Sequence, residues 1–366
     1  MPKRLIRYAV VGCGHIAQVA VLPAFANARR NSKLVAIVSG DPEKRAALKQ
    51  KYELERAVDY SEYDALLKSG DIDAVYIALP NSMHAEYSER AARAGVHVLC
   101  EKPMAVTEAE CELMIRAARE HRVQLMVAYR LHFERANLEA VEIARSGRIG
   151  EPRLFTSTFT MTVVPGNIRV KRALGGGTLY DIGVYCINAA RSLFRDEPGE
   201  VRAAAAGAIG DVEESVSAIL RFSNERLAAF TCSFGATKVS EYRLVGTKGE
   251  LAVDPAYEYA QPLEHRLSLD GNLVSERRFA KRDQFAPELL YFSDCVLQDR
   301  DPEPSGEEGL ADERLIRSLY KSIERGQALA LPPYQRRERP SLEQEIRRPP
   351  IEKPEVIHAQ APSGGS

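Results

Sequence analysis

Asp181 and Tyr185 stand four residues apart in GGGTLYDIGVYCINAARSLF (175–194), a spacing that sets both on one face of a helix. Asn188 lies one turn further on, near that face. A carboxylate beside a phenol can orient a polar group and pass a proton. Gly175, Gly176 and Gly177 just before them predict a close approach of the backbone, the cofactor being one candidate. The spacing alone also fits a glycine loop capping a helix, with Asp181 in its first turn. A second pattern, Gly12-x-Gly14-x-x-Ala17, ends the apolar run of RYAVVGCGHIA (7–17). Its first glycine allows a tight turn, its second admits a pyrophosphate, and Ala17 lets strand and helix pack closely. The helix N-terminus then offers N–H groups and positive dipole to phosphates. Another apolar run, Leu34–Val38, follows at βαβ spacing, so the loop reads as a dinucleotide site. Gly12, Gly14, His15 and Ile16 are its expected contacts, His15 through its backbone.

The end of the second strand reads Ile37-Val38-Ser39-Gly40, without the acid that usually holds an unphosphorylated ribose. Asp41 comes two residues late, and Lys44 and Arg45 follow. A small hydroxyl with nearby cations suits a 2′-phosphate, so Ser39, Gly40 and Lys44 point to NADP(H) rather than NAD. The alternative is that both cations are solvated helix charges.

The elements that must position these residues fall into two styles. Up to about residue 125, apolar strands (Arg7–Val11, Leu34–Val38, Ala74–Ala78, Val96–Cys100, Gln124–Ala128) alternate with helical stretches (Pro42–Tyr52, Ser61–Lys68, Met83–Ala94, Glu108–His121). That alternation demands a parallel α/β sheet, a first domain over 1–128. Over 129–330, alternating segments such as Arg153–Val164, Ser215–Phe222, Arg226–Ser233 and Glu241–Leu244 predict an α+β domain with an open, mostly antiparallel sheet. Helical segments around Glu288–Gln298 and Leu310–Arg325 are expected to close that second domain. Residues 331–366, rich in proline and charge, are expected to be disordered or loosely docked.

With 366 residues, 45% of them hydrophobic and a net charge of −1, the chain gives no reason to expect nucleic acid or a membrane as partner. The first strand starts by about Ile6, leaving no room for a signal peptide, and a cytoplasmic location is the default. Six scattered cysteines and seven histidines show no ligand spacing, so no metal is expected.

With these residues in view, the chain resembles the Gfo/Idh/MocA oxidoreductases over about residues 5–330. The likeness rests on the glycine loop, Ala78-Leu79-Pro80-Asn81 with His84, Glu101-Lys102-Pro103, Tyr129-Arg130-x-His132-Phe133, and GGG-x-L-x-D-I-G-x-Y (175–185). It implies that the first domain is a Rossmann domain, joined to an open, mostly antiparallel sheet, with the active site in the cleft between them and Lys102 beside the nicotinamide. Histidine is usual in the family where Tyr185 stands; tyrosine marks the glucose–fructose oxidoreductase branch. The same match implies Tyr60, Leu79, Asn81, His84, Glu101, Arg130, Arg169 and Tyr259 as cofactor neighbours. Arg130 and His132 are read either as cleft residues or as ordinary polar residues at a strand end.

Chemistry follows from the match: Tyr185 moves the proton of a sugar hydroxyl, Lys102⁺ stabilises the phenolate, and Asp181 orients Lys102 or grips a second hydroxyl. The activity so implied is NADP-dependent oxidation of an aldose at C1 to the lactone, the hydride passing to a second sugar if the cofactor stays bound. The alternatives are an aldose 1-dehydrogenase with exchangeable cofactor, a reductase of a deoxy- or anhydro-sugar, and a non-catalytic NADP-binding sugar sensor. The broad sheet face, which commonly pairs subunits in the family, implies a homodimer or homotetramer.

Overall fold

The computed structural model describes residues 4–336 and 338–363. Six short segments form one parallel sheet: β1 (Ile6–Val11), β2 (Ser32–Val38), β3 (Arg56–Val58), β4 (Ala74–Ile77), β5 (His97–Glu101) and β6 (Leu125–Ala128). Their order is β3-β2-β1-β4-β5-β6, so the chain reverses its direction of travel between β1 and β4. A crevice opens at such a reversal, outside the carboxyl ends of the strands. Register brings those ends level: Val11 lies beside Val38 and Ile77, Ile77 beside Cys100, and Glu101 beside Ala128. Strand β3 has no counterpart in the sequence reading, because its three residues carry no buried apolar run.

The helices start where local chemistry favours them. Asp41 caps Pro42–Lys51 by accepting from the Lys44 amide at 2.9 Å, and Thr107 caps Glu108–Glu120 in the same way at 3.2 Å. After the glycine loop the chain makes a π-helical turn, Ala17–Val21.

The second sheet has nine strands: β7 (Pro152–Thr162), β8 (Glu200–Ile209), β9 (Val212–Arg221), β10 (Leu227–Ser233), β11 (Gly235–Gly246), β12 (Gly249–Val253), β13 (Leu263–Leu269), β14 (Asn272–Phe279) and β15 (Leu329–Ala330). Their order is β14-β13-β12-β11-β7-β10-β9-β8-β15, and only the β7–β10 pair is parallel. Helices Arg135–Arg145, Val184–Phe194 and Gly306–Arg325 pack towards one face. The other face is open, with Thr158, Arg202, Ser217, Ile219, Thr231 and Arg243 around a depression of about 680 Å³.

One expectation needs correction. Helix Ala286–Gln298 does not close the second domain. It lies on the Rossmann sheet, where Leu289 and Phe292 join Tyr8, Val10 and Ile37 in one core, and the Tyr8 hydroxyl meets Ser293 Oγ at 2.7 Å. The tail, expected to be disordered or loosely docked, makes specific contacts over its described residues. Arg336 pairs with Glu303 (2.8 Å) and Glu308 (3.0 Å), Arg339 with Glu197 (2.6 Å), and Glu345 with Arg135 (2.8 Å). Val356 and Ile357 pack against the Rossmann core. Hydrophobic composition fails to foresee this, because specific charge pairs hold the tail. Residues 337 and 364–366 of that segment lie outside the described residues.

Candidate active site

Strand register explains the site. Just past the level ends of β1, β4, β5 and β6 come the glycine loop, Ala78-Leu79, Lys102 and Arg130. The second domain closes over them with Arg169, Asp181, Tyr185, Tyr257 and Tyr259, leaving a cleft of about 820 Å³. That volume suits a bound organic molecule. Asp181 sits in a π-helical turn, Leu179–Gly183, that runs directly into helix Val184–Phe194 carrying Tyr185. Such turns recur at functional sites, since they swing side chains off the regular helical stagger.

Lys102 is the centre of the arrangement. Its Nζ donates to the Asp181 carbonyl oxygen at 2.8 Å, stands 3.6 Å from Asp181 Oδ1, and lies 4.6 Å from the Tyr185 ring centroid. Arg169 Nε donates to Asp181 Oδ2 at 2.7 Å. Burial alone would raise the Asp181 carboxyl, but Arg169 and Lys102 outweigh it and hold the group below its ordinary range. Arg130 is buried; its Nη2 donates to the Tyr185 hydroxyl at 3.3 Å, and its guanidinium lies over the rings of Tyr185 (5.1 Å) and Tyr259 (5.3 Å). Gln284 and the Tyr257 carbonyl hold the guanidinium in place. Burial raises the Glu101 carboxyl, which accepts from the Tyr76 hydroxyl at 2.8 Å. His84 is buried with a ring nitrogen 2.9 Å from each of the Leu79 and Pro103 carbonyl oxygens, bracing the loop behind Lys102.

A dinucleotide fits these residues. A Cβ on Gly12 (φ +90°) would lie 2.6 Å from the Ala78 carbonyl oxygen, so only glycine fits the turn, whereas a Cβ on Gly14 would meet nothing within 4 Å. That open space lies at the start of a helical turn, where phosphate is favoured.

Of the expected residues, Gly14, His15, Ile16, Leu79, Asn81, His84, Glu101, Lys102, Arg130, Arg169, Asp181, Tyr185 and Tyr259 line the cleft together. Ser39, Gly40, Lys44 and Tyr60 gather beside it at the end of β2, where a Cβ on Gly40 would sit 3.4 Å from the Tyr60 ring. Arg45 is not available there, since it pairs with Asp59 (2.8 Å) and donates to the Ser39 carbonyl oxygen. Asn188 and His132 turn away from the cleft: His132 Nε2 meets Asn188 Oδ1 at 2.8 Å, and Asn188 donates to Glu308 and Asp312 at 2.9 Å, all buried. The glycine triplet approaches protein. A Cβ on Gly175 would strike Val106 and Asn81, and one on Gly176 would lie 2.4 Å from the Arg169 carbonyl oxygen. Sequence reasoning missed Tyr257, Gln284 and, from the tail, Ile351, Lys353 and residues 358–363 as cleft neighbours, because nothing local marks a segment that arrives from elsewhere in the chain.

Known proteins resemble this chain over most of its length. Residues 6–129 match the GFO/IDH/MocA oxidoreductase family, NAD-binding Rossmann fold, and residues 137–252 match the GFO/IDH/MocA C-terminal domain. A D-xylose 1-dehydrogenase [NADP(+)] from Haloarcula marismortui is 34% identical over 334 residues, covering 87% of this chain and 91% of the relative. The crystal structure of an aldose-aldose oxidoreductase from Caulobacter crescentus, complexed with glycerol, is 36% identical with a TM-score of 0.84, covering 90% of this chain and all of that one. A 3-ketoreductase from Actinomadura kijaniata, solved with NADP and TDP-benzene, is 29% identical with a TM-score of 0.79, covering 87% and 98%.

Proposed function

The chain belongs to the Gfo/Idh/MocA oxidoreductase family, and from that premise we propose that it is an NADP(H)-dependent sugar oxidoreductase. It oxidises an aldose at C1 to the lactone and, keeping its cofactor bound, reduces a second sugar. The observation that carries this reading is the convergence of Lys102, Asp181 and Tyr185, from two domains, on one cleft beside a dinucleotide loop. The aldose-aldose oxidoreductase and the NADP-linked xylose dehydrogenase among its relatives support the substrate class.

A nicotinamide held in this cleft would supply the hydride acceptor and donor for the sugar carbon. Tyr185 takes the hydroxyl proton as the lactone forms and returns a proton to the second sugar's oxygen. The Arg130 guanidinium at the phenol oxygen stabilises negative charge there. Lys102, held in place by the Asp181 carbonyl, is positioned to hydrogen-bond the reacting oxygen as charge develops. Asp181 pairs with both Lys102 and Arg169 and so orients two of the cations that line the cleft. Ser39, just past β2, and Lys44, in the first turn of helix Pro42–Lys51, would hold the 2′-phosphate.

The deciding experiment is the absorbance and fluorescence of purified, dialysed protein before and after glucose or xylose, without added cofactor. A retained nicotinamide signal that the aldose reduces supports the closed cycle. An empty protein that oxidises the sugar only with added NADP⁺ makes it an aldose 1-dehydrogenase, the reading that the xylose dehydrogenase relative favours. Binding of NADPH with no response to any sugar overturns both. The open face of the second sheet, with Leu154, Ile219 and Leu227 exposed, is the proposed contact of a dimer or tetramer.

A further inference from the structure

The tail follows one continuous path to the cleft. Arg348 Nε donates to the Asn27 carbonyl oxygen at 3.0 Å, and Asn27 Nδ2 donates back to the Pro349 carbonyl at 2.9 Å. Beyond this anchor the chain crosses the helical turn that follows the glycine loop. There the buried side chain of Gln18 engages both backbone groups of Ile357: Nε2 donates to its carbonyl oxygen at 2.8 Å, and Oε1 accepts from its amide at 2.8 Å. The same Nε2 donates to the Cys13 carbonyl oxygen at 2.9 Å, so one amide ties the tail to the loop itself. His358 Nδ1 lies 2.8 Å from Asp41 Oδ2, next to Ser39 and Gly40. Four residues on, the Pro362 carbonyl accepts from the Val164 amide at 2.9 Å, which is in the second domain between β7 and Arg169. Residues 357–362 therefore bridge the two domains across the cleft, and Ile351, Lys353 and His358 through Ser363 contribute to its wall.

The charge placement is as specific as the path. Arg169 and Lys353 line the cleft together with Gly14 and His15 of the glycine loop, and burial, then those two charges, lower the His15 imidazole. Among the described residues, the Lys353 ammonium has no hydrogen-bond or ion-pair partner of its own. An unpaired ammonium lining a cleft opposite a loop built for phosphate has an evident ligand.

We propose that residues 351–363 are a strap that closes the dinucleotide site, with Lys353 as a phosphate-binding cation, and that its attachment to both domains keeps NADP(H) bound between turnovers. This rests on the dinucleotide site of the proposed function and not on the identity of the sugar. A cofactor under a segment tied at both ends leaves only when one tie opens, so the strap acts mainly on the dissociation rate.

The test is NADPH release, read by the loss of nicotinamide fluorescence when excess NADP⁺ is added, with no sugar present. It compares the full chain, a chain ending at Pro350, Lys353→Ala and Lys353→Arg, each with its circular dichroism and melting curve. Release at least about tenfold faster from the shortened chain, with association changed far less, supports the strap. Lys353→Ala, a surface change that does not threaten folding, is expected to weaken NADPH several-fold, with Lys353→Arg restoring most of it. Release within about twofold of the full chain in both the shortened chain and Lys353→Ala overturns the proposal. So does tighter NADPH binding by the shortened chain, which would make the tail a competitor for the site. Strap-dependent release from a protein that oxidises no sugar leaves the strap standing while the proposed activity falls.

Discussion

The ammonium of Lys102 lies over the face of the Tyr185 ring, 4.6 Å from its centroid, and the cation at the phenol oxygen is Arg130, at 3.3 Å. The sequence reading pairs Lys102 with the phenolate; in the folded chain Lys102 lies over the ring and Arg130 donates to the oxygen, so we propose that the two cations share that role. Tyr185→Phe keeps the ring under Lys102 and removes the proton. We expect kcat to fall about 10²- to 10⁴-fold with NADPH affinity unchanged. Steady-state kinetics beside a fluorescence titration check this; a kcat within a few-fold of the parent removes Tyr185 from proton transfer.

Asp181 neutralises two cations, so Asp181→Asn leaves both uncompensated in the cleft. We expect kcat/KM to drop about tenfold or more while NADPH binding holds or tightens. The carboxyl's folded pKa lies below its ordinary 3.8. Its stabilising contribution is therefore complete above that value and disappears as pH falls through the lower folded value. Acid unfolding followed below about pH 4 should accordingly be less steep in Asp181→Asn.

Gly14 and Gly176 separate binding from folding. Gly14→Ala puts a methyl into open space, so the melting temperature should hold while NADPH affinity falls about tenfold or more. Gly176→Ala drives a methyl against the carbonyls of Arg169 and Lys171, which are backbone and cannot step aside. That variant should lose about 1–3 kcal/mol of stability in denaturant unfolding. Equal melting temperatures for the two variants would contradict the assignment.

His265, on β13, packs edge-on against Phe279 with Nε2 unpartnered, and burial lowers its pKa from 6.5 to about 4. Between those two values the unfolded chain binds a proton that the folded chain does not. Stability is therefore complete above pH 6.5 and declines on acidification toward pH 4, by up to ~3 kcal/mol. Replacing the ring in His265→Leu should flatten melting temperature against pH across that window. Parallel curves for parent and variant would show that other groups set the decline.

The open sheet face gives a prediction about assembly. Ile219→Asp places a charge at the centre of the proposed contact without touching the cleft. Light scattering should show an oligomer for the parent and a smaller species for the variant. A monomeric parent would end this proposal.

Much of the fold was legible because its signals are local. The apolar runs of β1, β2, β4, β5 and β6 are nearly continuous, as strands covered on both faces require, whereas β3 is too short to carry any pattern. Gly12 and Gly14 likewise declare themselves, since a tight turn and an open approach restrict residue type at the position itself. Spacing also put Asp181 and Tyr185 near one another, and both line the cleft.

What only tertiary structure decided are the relationships between distant segments. Helical spacing carried Asn188 into the candidate face, yet Glu308 and Asp312 from another helix draw it into a buried polar network. Arg130 and His132, two residues apart, go opposite ways for the same kind of reason: Tyr257 and Gln284 hold one at the cleft, and Asn188 holds the other beneath it. The amphipathic pattern of Ala286–Gln298 shows a helix with a face to bury but not which sheet receives it. A tail with little apolar content reads as unstructured until the acids at 197, 303 and 308 supply partners for Arg336 and Arg339. Backbone conformation answers to neighbouring residues and so is written locally; a charge or an amide takes its role from whatever the fold places opposite it.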